Sequence, residues 1–213
     1  MGSKGVAAIV ALIAVTGSAY AASSTLVPPD GRVDGRTYKD WLAKSWQVQL
    51  GTPNGASRCQ RVGDVEVMLE HPPPFKHREY YECSIPAGRN VYIAGAGAEC
   101  STIEKPPFHG RTPRQLKSCA RRFTKRAYSH IKYTIDGEPV EHPGSFATTS
   151  RVFHFHLPKH NILHLKRRSG RAAAYGEGFL LRDLAVGQHV VRRSDRYFGS
   201  RRYTTVFRID VNG

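Results

Sequence analysis

Acidic residues are the scarce class in this 213-residue sequence. Seventeen Asp and Glu stand against 32 Lys and Arg, for a formal charge of +15 and a pI near 10. That balance excludes an acidic disordered tail and an ordinary near-neutral cytosolic enzyme. Motifs are scarce as well. There is no G-x-S-x-G elbow, no phosphate-binding P-loop and no H-E-x-x-H, which removes the classes those motifs define. No C-x-x-C pair is present, which argues against a four-thiolate zinc site. What the chain does have is apolar material: 40% hydrophobic and 10% aromatic residues rule out wholesale disorder.

The one long apolar run lies at the start. Lys4 supplies a positive charge, Val6 to Val15 is almost continuously apolar, and Ala19-Tyr20-Ala21 offers a small-x-small cleavage site. Residues 1–21 therefore read as a secretory signal peptide cut after Ala21. The run is well short of the ~18 residues a membrane span needs. The expected mature chain has no transmembrane segment and is secreted or periplasmic. Residues 22–36, small and rich in Pro and Gly, read as a flexible lead, with residues 37–213 as a single domain.

Four cysteines remain: Cys59, Cys83, Cys100 and Cys119. An even number behind a signal peptide reads as two disulfides. Three pairings are open. Cys59–Cys83 with Cys100–Cys119 is favoured because each bond closes a short local loop.

Two helices are expected. Thr37 and Asp40 form a capping box ahead of Tyr38, Trp41, Leu42, Trp46 and Leu50, which share one helical face. Thr112, Pro113 and Gln115 open a second helix. Its apolar stripe is Leu116, Cys119, Ala120 and Phe123, and its opposite side is a basic ridge of Arg114, Lys117, Arg121 and Lys125. Elsewhere the pattern alternates as strands do: 65–69, 80–85, 90–93, 129–135, 151–157, 178–181, 189–192 and 203–211. About eight short strands and two short helices predict a mainly β chain, an antiparallel β-sandwich of Ig-like or jelly-roll type.

Candidate chemistry is sparse. His154 and His156 fall on one side of a predicted strand, and His160 follows in the next loop, a ligand pattern that suits a metal ion. The alternation demands a polar stripe there in any case. Among the acids, Glu177 stands between Gly176 and Gly178, which permit close approach of a ligand. A lyase acting on an acidic polysaccharide would need a cation and a Tyr or His base, for which His189, Tyr197 and Tyr203 are available. No cofactor is implied.

Charge position is more informative. From Arg151 to Gly213 there are 13 basic and 4 acidic residues, a net of +9. The clusters are Lys166, Arg167, Arg168 and Arg171, then Arg192-Arg193 and Arg201-Arg202. Arg121-Arg122 and Lys125-Arg126 add a separate basic helix. Such clusters suit polyanions. For an exported protein the expected partner is an anionic polysaccharide or cell-envelope polymer rather than nucleic acid.

Several short motifs recur in order along the chain: Gly35-x-x-Tyr38-x-x-Trp41 with Trp46, Cys83-x-Ile85-Pro86-Ala87-Gly88, Glu99-Cys100-Ser101, Leu116-x-x-Cys119, Ile135-Asp136-Gly137, Leu157-Pro158-x-x-Asn161 and Leu184-x-x-Gly187-x-His189. In these the chain resembles a family of exported bacterial proteins of unassigned activity. The resemblance implies the local disulfide pairing and a secreted β-sandwich, and brings no activity or cofactor. His154, His156 and the strong basicity lie outside its pattern. The expectation is an exported, non-enzymatic polyanion-binding protein with a basic C-terminal face. The alternatives are an acidic-polysaccharide lyase and a purely structural secreted protein.

Overall fold

The computed structural model describes residues 25–70, 77–199 and 202–213. The signal segment, its cleavage position, Pro72–Pro74 and Arg201 lie outside these. Two helices are described, α1 (Tyr38–Gly51) and α2 (Pro113–Ala127). Among the described residues thirteen strands run from β1 (Arg32–Val33) and β2 (Arg36–Thr37) through β3 (Cys59–Val62), β4 (Val65–Met68), β5 (Arg78–Pro86), β6 (Asn90–Ser101) and β7 (Tyr128–Ile135). They continue with β8 (Glu138–Pro139), β9 (Thr148–Thr149), β10 (Phe153–His156), β11 (Ser169–Leu181), β12 (Gly187–Tyr197) and β13 (Arg202–Asn212). The chain is mainly β, as its alternation predicts.

Each of the eight expected strands has a counterpart. β3 and the two-residue strands come in addition, and β6 and β11 run far beyond their predicted ends. One sheet has the order β10-β11-β6-β4-β3 with β9 also on β11, and the other is β5-β13-β12-β7-β8. Neither is purely antiparallel, which corrects the expectation: β4 runs parallel to β6 and β5 parallel to β13. Hairpins produce only antiparallel neighbours, whereas parallel ones need a crossover. Here the crossover is β5 itself, which leaves the first sheet for the second before the chain returns as β6.

The two sheets share a core. Met68, Val91, Ile93 and Leu181 of the first cluster with Tyr81, Ile85, Val191, Phe207 and Ile209 of the second. Cys59–Cys83 ties β3 to β5 and so links the sheets covalently, while Cys100–Cys119 ties β6 to α2. Both local pairings are those favoured by loop length.

The capping boxes form at both helices. The Thr37 amide and hydroxyl both reach Asp40 Oδ2, and Gln115 N donates to Thr112 Oγ1 while Thr112 N donates to Gln115 Oε1. Trp41 is fully buried, stacks on Tyr92 of β6 and donates its indole N–H to Val33 O. Of the expected lead, the described residues 25–36 are not loose. Val27 is buried and donates to Leu180 O, Arg182 N donates to Thr25 O, and Tyr38 Oη donates to Val27 O. Its apolar Leu26 and Val27, hidden among small polar residues, dock it along β11.

Candidate functional site

The basic residues do not form one C-terminal face. Lys166, Arg167, Arg168 and Arg171 are exposed on the loop after β10 and the start of β11, where Arg171 Nη2 reaches Arg111 O ahead of α2. Arg192 and Arg202 are exposed on the other sheet, on β12 and β13. Arg193 is the correction: it is 1% exposed and cannot meet a polymer. Alternation along β12 turns Val191, Arg193 and Asp195 inward. Inside, Arg193 pairs with Glu70, donates Nε to Asp195 Oδ2 at 2.6 Å and Nη2 to Thr205 Oγ1 at 3.2 Å. A guanidinium buried in this way needs such partners, because desolvation is otherwise prohibitive.

The most concentrated cationic surface is α2. Arg114, Arg121, Arg122, Lys125 and Arg126 are exposed and Lys117 half-exposed, with no acidic residue on the helix. Among the described residues none of the six makes an ion pair. Arg121 lies over the Tyr175 ring and Arg126 over Phe123 and Phe198. The Cys100–Cys119 bond fixes the inner side of this helix to β6.

The histidines are not gathered. His154 and His156 do share the exposed side of β10, but His156 Nδ1 contacts Ser169 Oγ and His160 sits in the following loop. Among the described residues no third ligand joins them within metal-ligand distance. The lyase set is also dispersed. His189 uses Nδ1 on Asp136 and Nε2 on Ala185 O, while Tyr203 stacks on His77. In the β12–β13 register His189 faces Ile209 and Tyr203 faces Asp195, so the two lie six pairs apart.

A different site emerges at Glu177. A β-bulge between Gly176 and Gly178 sets this residue against Gly95 and Ala96 of β6. The glycines are required here. A Cβ on Gly95 would lie 2.7 Å from Tyr133 Oη, and one on Gly176 would lie 2.7 Å from Ala96 O. Where β6 and β11 lose their side chains, a cavity of about 320 Å³ opens, and Glu70, Glu99, Glu104 and Glu177 all line it. Its walls are Leu42 and Trp46 of α1, Phe108, Phe123 of α2, Ile162 and Leu163, with Tyr128 and Tyr197 also on the lining. Trp46 thus belongs to a cavity wall, whereas Trp41 belongs to the core.

Burial dominates the electrostatics of these acids. It pushes Glu177 up to about 7, opposed by the Tyr133 hydroxyl and Arg193 and reinforced by Asp195. Glu70 is likewise pushed up to about 7 by burial, against the pull of Arg193. Glu99 is raised well above the usual carboxyl range by burial and then by Glu104 facing it. Glu104 is also raised by burial, which its bond from Ser101 Oγ opposes. Burial thus favours the protonated form at all four acids. Sequence reasoning found Glu177 through its glycines; Glu99 appeared only within the Glu99-Cys100-Ser101 motif, and Glu70 and Glu104 carried no local signal.

No protein-family model matches the chain, and no curated protein does. Among solved structures, a chain from "Structure of PbICP-C in complex with falcipain-2" is similar at a TM-score of 0.31 and 12% identity, over 70% of this chain and all of that one. "Solution Structure of Amebosin" is similar at 0.22 and 9%, over 65% of this chain and all of that one. Likenesses this weak carry no inference about fold type or activity.

Proposed function

We propose that this is an exported, non-enzymatic β-sandwich protein that docks on an anionic polysaccharide or cell-envelope polymer, with α2 as its main contact. The observation that carries this is the helix itself: six cations, no acid, no ion pair among the described residues, and a covalent anchor beneath. Two sheets sharing one core support the sandwich reading, and the leader and the resemblance to exported bacterial proteins support export. The contact region is moved from the C-terminal third to α2, with Arg111, Lys166, Arg167, Arg168 and Arg171 as its extension. Arg192 and Arg202 on the second sheet are secondary.

Attraction between a cation ridge and a polyanion releases counterions, so it weakens steeply with salt. The test is retention of the full, disulfide-bonded protein on heparin resin. Salt should release it, and a variant with Arg114, Lys117, Arg121 and Lys125 changed to Gln should elute at clearly lower salt. Retention that neither salt nor these changes alter would reject the reading.

A further inference from the structure

We propose that the cavity beneath α2 is a binding site for a small aliphatic amine, with Glu177 and the Glu99–Glu104 pair receiving its ammonium groups. The site is independent of the polymer contact on the outer side of the helix.

A cluster of acids alone would not support this. The decisive observation is that the Oε2 atoms of Glu177 and Glu99 are buried without a hydrogen-bond partner of ordinary geometry among the described residues, although the Tyr133 hydroxyl lies against the Glu177 carboxyl and Glu104 against that of Glu99. Both side chains line the cavity, and the residues are only 8% and 4% exposed. Buried polar atoms are almost always satisfied, so two unpartnered carboxyl oxygens at one cavity call for a polar group from outside the chain.

Counting charges identifies the donor. Arg193 is the cation of this region, and its guanidinium is already committed to Glu70, Asp195 and Thr205. Beyond Arg193 the only basic group acting on Glu177, Glu99 or Glu104 among the described residues is the His109 imidazole beside Glu104, so these three acids lack a dedicated cation. A ligand that is both cationic and a hydrogen-bond donor would meet both needs. No three of these carboxylates converge to metal-ligand distance among the described residues, which disfavours a single divalent ion.

The shape fits an amine with a methylene chain. Glu177 and the Ala174 position that pairs with Glu99 are three residues apart on β11, or roughly 10 Å of strand. Between them the floor is Gly and Ala, and the walls are Trp46, Phe108, Phe123 and Leu163. Apolar walls with acids spaced along the cavity match a chain that is apolar in the middle and charged at its ends. The volume is at the small end of ordinary ligand sites.

Proton linkage follows from the neighbours. Glu177 is faced by Tyr133 from β7 and by Arg193 and Asp195 from β12, while Glu99 and Glu104 face each other and His109 lies beside Glu104. Arg193 favours ionisation of Glu177 and His109 that of Glu104, while Asp195 opposes it at Glu177 and Glu104 opposes it at Glu99. An ammonium would add a second favourable charge and expel the bound protons. Affinity should then rise with pH between about 5 and 8.

Calorimetric titration of the full, disulfide-bonded protein with cadaverine, at pH 6 and pH 8, tests the assignment, with pentanediol and glucose as neutral probes. Cadaverine should bind at least fivefold tighter at pH 8, with proton release shown by the dependence of heat on buffer. Glu177→Gln and Glu99→Gln should each weaken it tenfold or more, with far-ultraviolet circular dichroism unchanged. Heparin retention should be unaffected by both substitutions, which separates this site from the polymer surface. Absence of cadaverine binding by the folded protein would overturn the proposal. Equal binding of pentanediol or glucose, or cadaverine affinity unchanged in both variants, would also overturn it.

Discussion

The two sides of α2 differ as sharply as any two regions of the molecule. Outward, Arg114, Arg121, Arg122, Lys125 and Arg126 reach solvent without one acid among them. Inward, Phe123 forms part of the wall of a cavity that four glutamates line. A formal charge of +15 therefore conceals an interior that is locally acidic and in which burial pushes the carboxyls toward their protonated form. Net charge describes what a distant partner feels. It says nothing of the field inside a largely buried cavity.

The same contrast is compressed into two adjacent residues, and breaking it there should give the largest effect. Arg192 is exposed, and Arg193 is buried against Glu70 and Asp195. Arg193→Ala leaves two buried acids without their cation and should cost about 3–5 kcal/mol in urea unfolding. Arg192→Ala should change stability by no more than about 0.5 kcal/mol, as surface substitutions usually do. Equal costs at the two positions would contradict the inward placement of Arg193.

The next largest effect concerns the bond that holds the two sides together. Cys100 and Cys119 are 19 residues apart, and replacing both with Ala should cost about 3 kcal/mol in the loop-entropy account. Unfolding followed by circular dichroism would measure it. The doubly substituted protein should also lose part of its heparin retention if the anchored posture of α2 matters for docking.

A pH scan sharpens the interior half of the comparison. The folded-state value of Glu177 lies near 7, above its ordinary 4.5. Between those two values the folded chain keeps a proton that the unfolded chain has released, so stability falls as pH rises through that window. For Glu177 alone the loss is on the order of 3 kcal/mol across the window. Glu177→Gln should therefore flatten the fall between pH 5 and pH 7.5 in a thermal-unfolding series, while leaving stability below pH 4.5 nearly unchanged. A profile as steep as that of the parent protein would contradict the burial of that charge.

Much of the framework was legible from residue order, and the site was not. Alternation found the strands with Val, Ile, Tyr and Phe, because a half-buried pleated surface selects such residues. It failed for 94–99 of β6 and 170–177 of β11, where Ala and Gly dominate. Those residues are small because Tyr133, Tyr92 and the facing strand come too close for anything larger. The signal that marks a strand was thus removed by the same packing that makes the cavity. Glu177 was still visible because glycines on both sides announced close approach. Arg193 was masked by its basic neighbours, and its partner Glu70 lies 123 positions away, a pairing no local pattern could supply.

The central claim is that the outer side of α2, rather than the C-terminal third, carries the affinity for polyanions. The most direct measurement is the salt concentration that elutes three proteins from heparin: the parent, the α2 variant with Arg114, Lys117, Arg121 and Lys125 changed to Gln, and an Arg192→Gln/Arg202→Gln variant. The account predicts a large drop in eluting salt for the α2 variant and a small one for the second-sheet variant, with all three equally folded. The reverse order, or two equal drops, would contradict it.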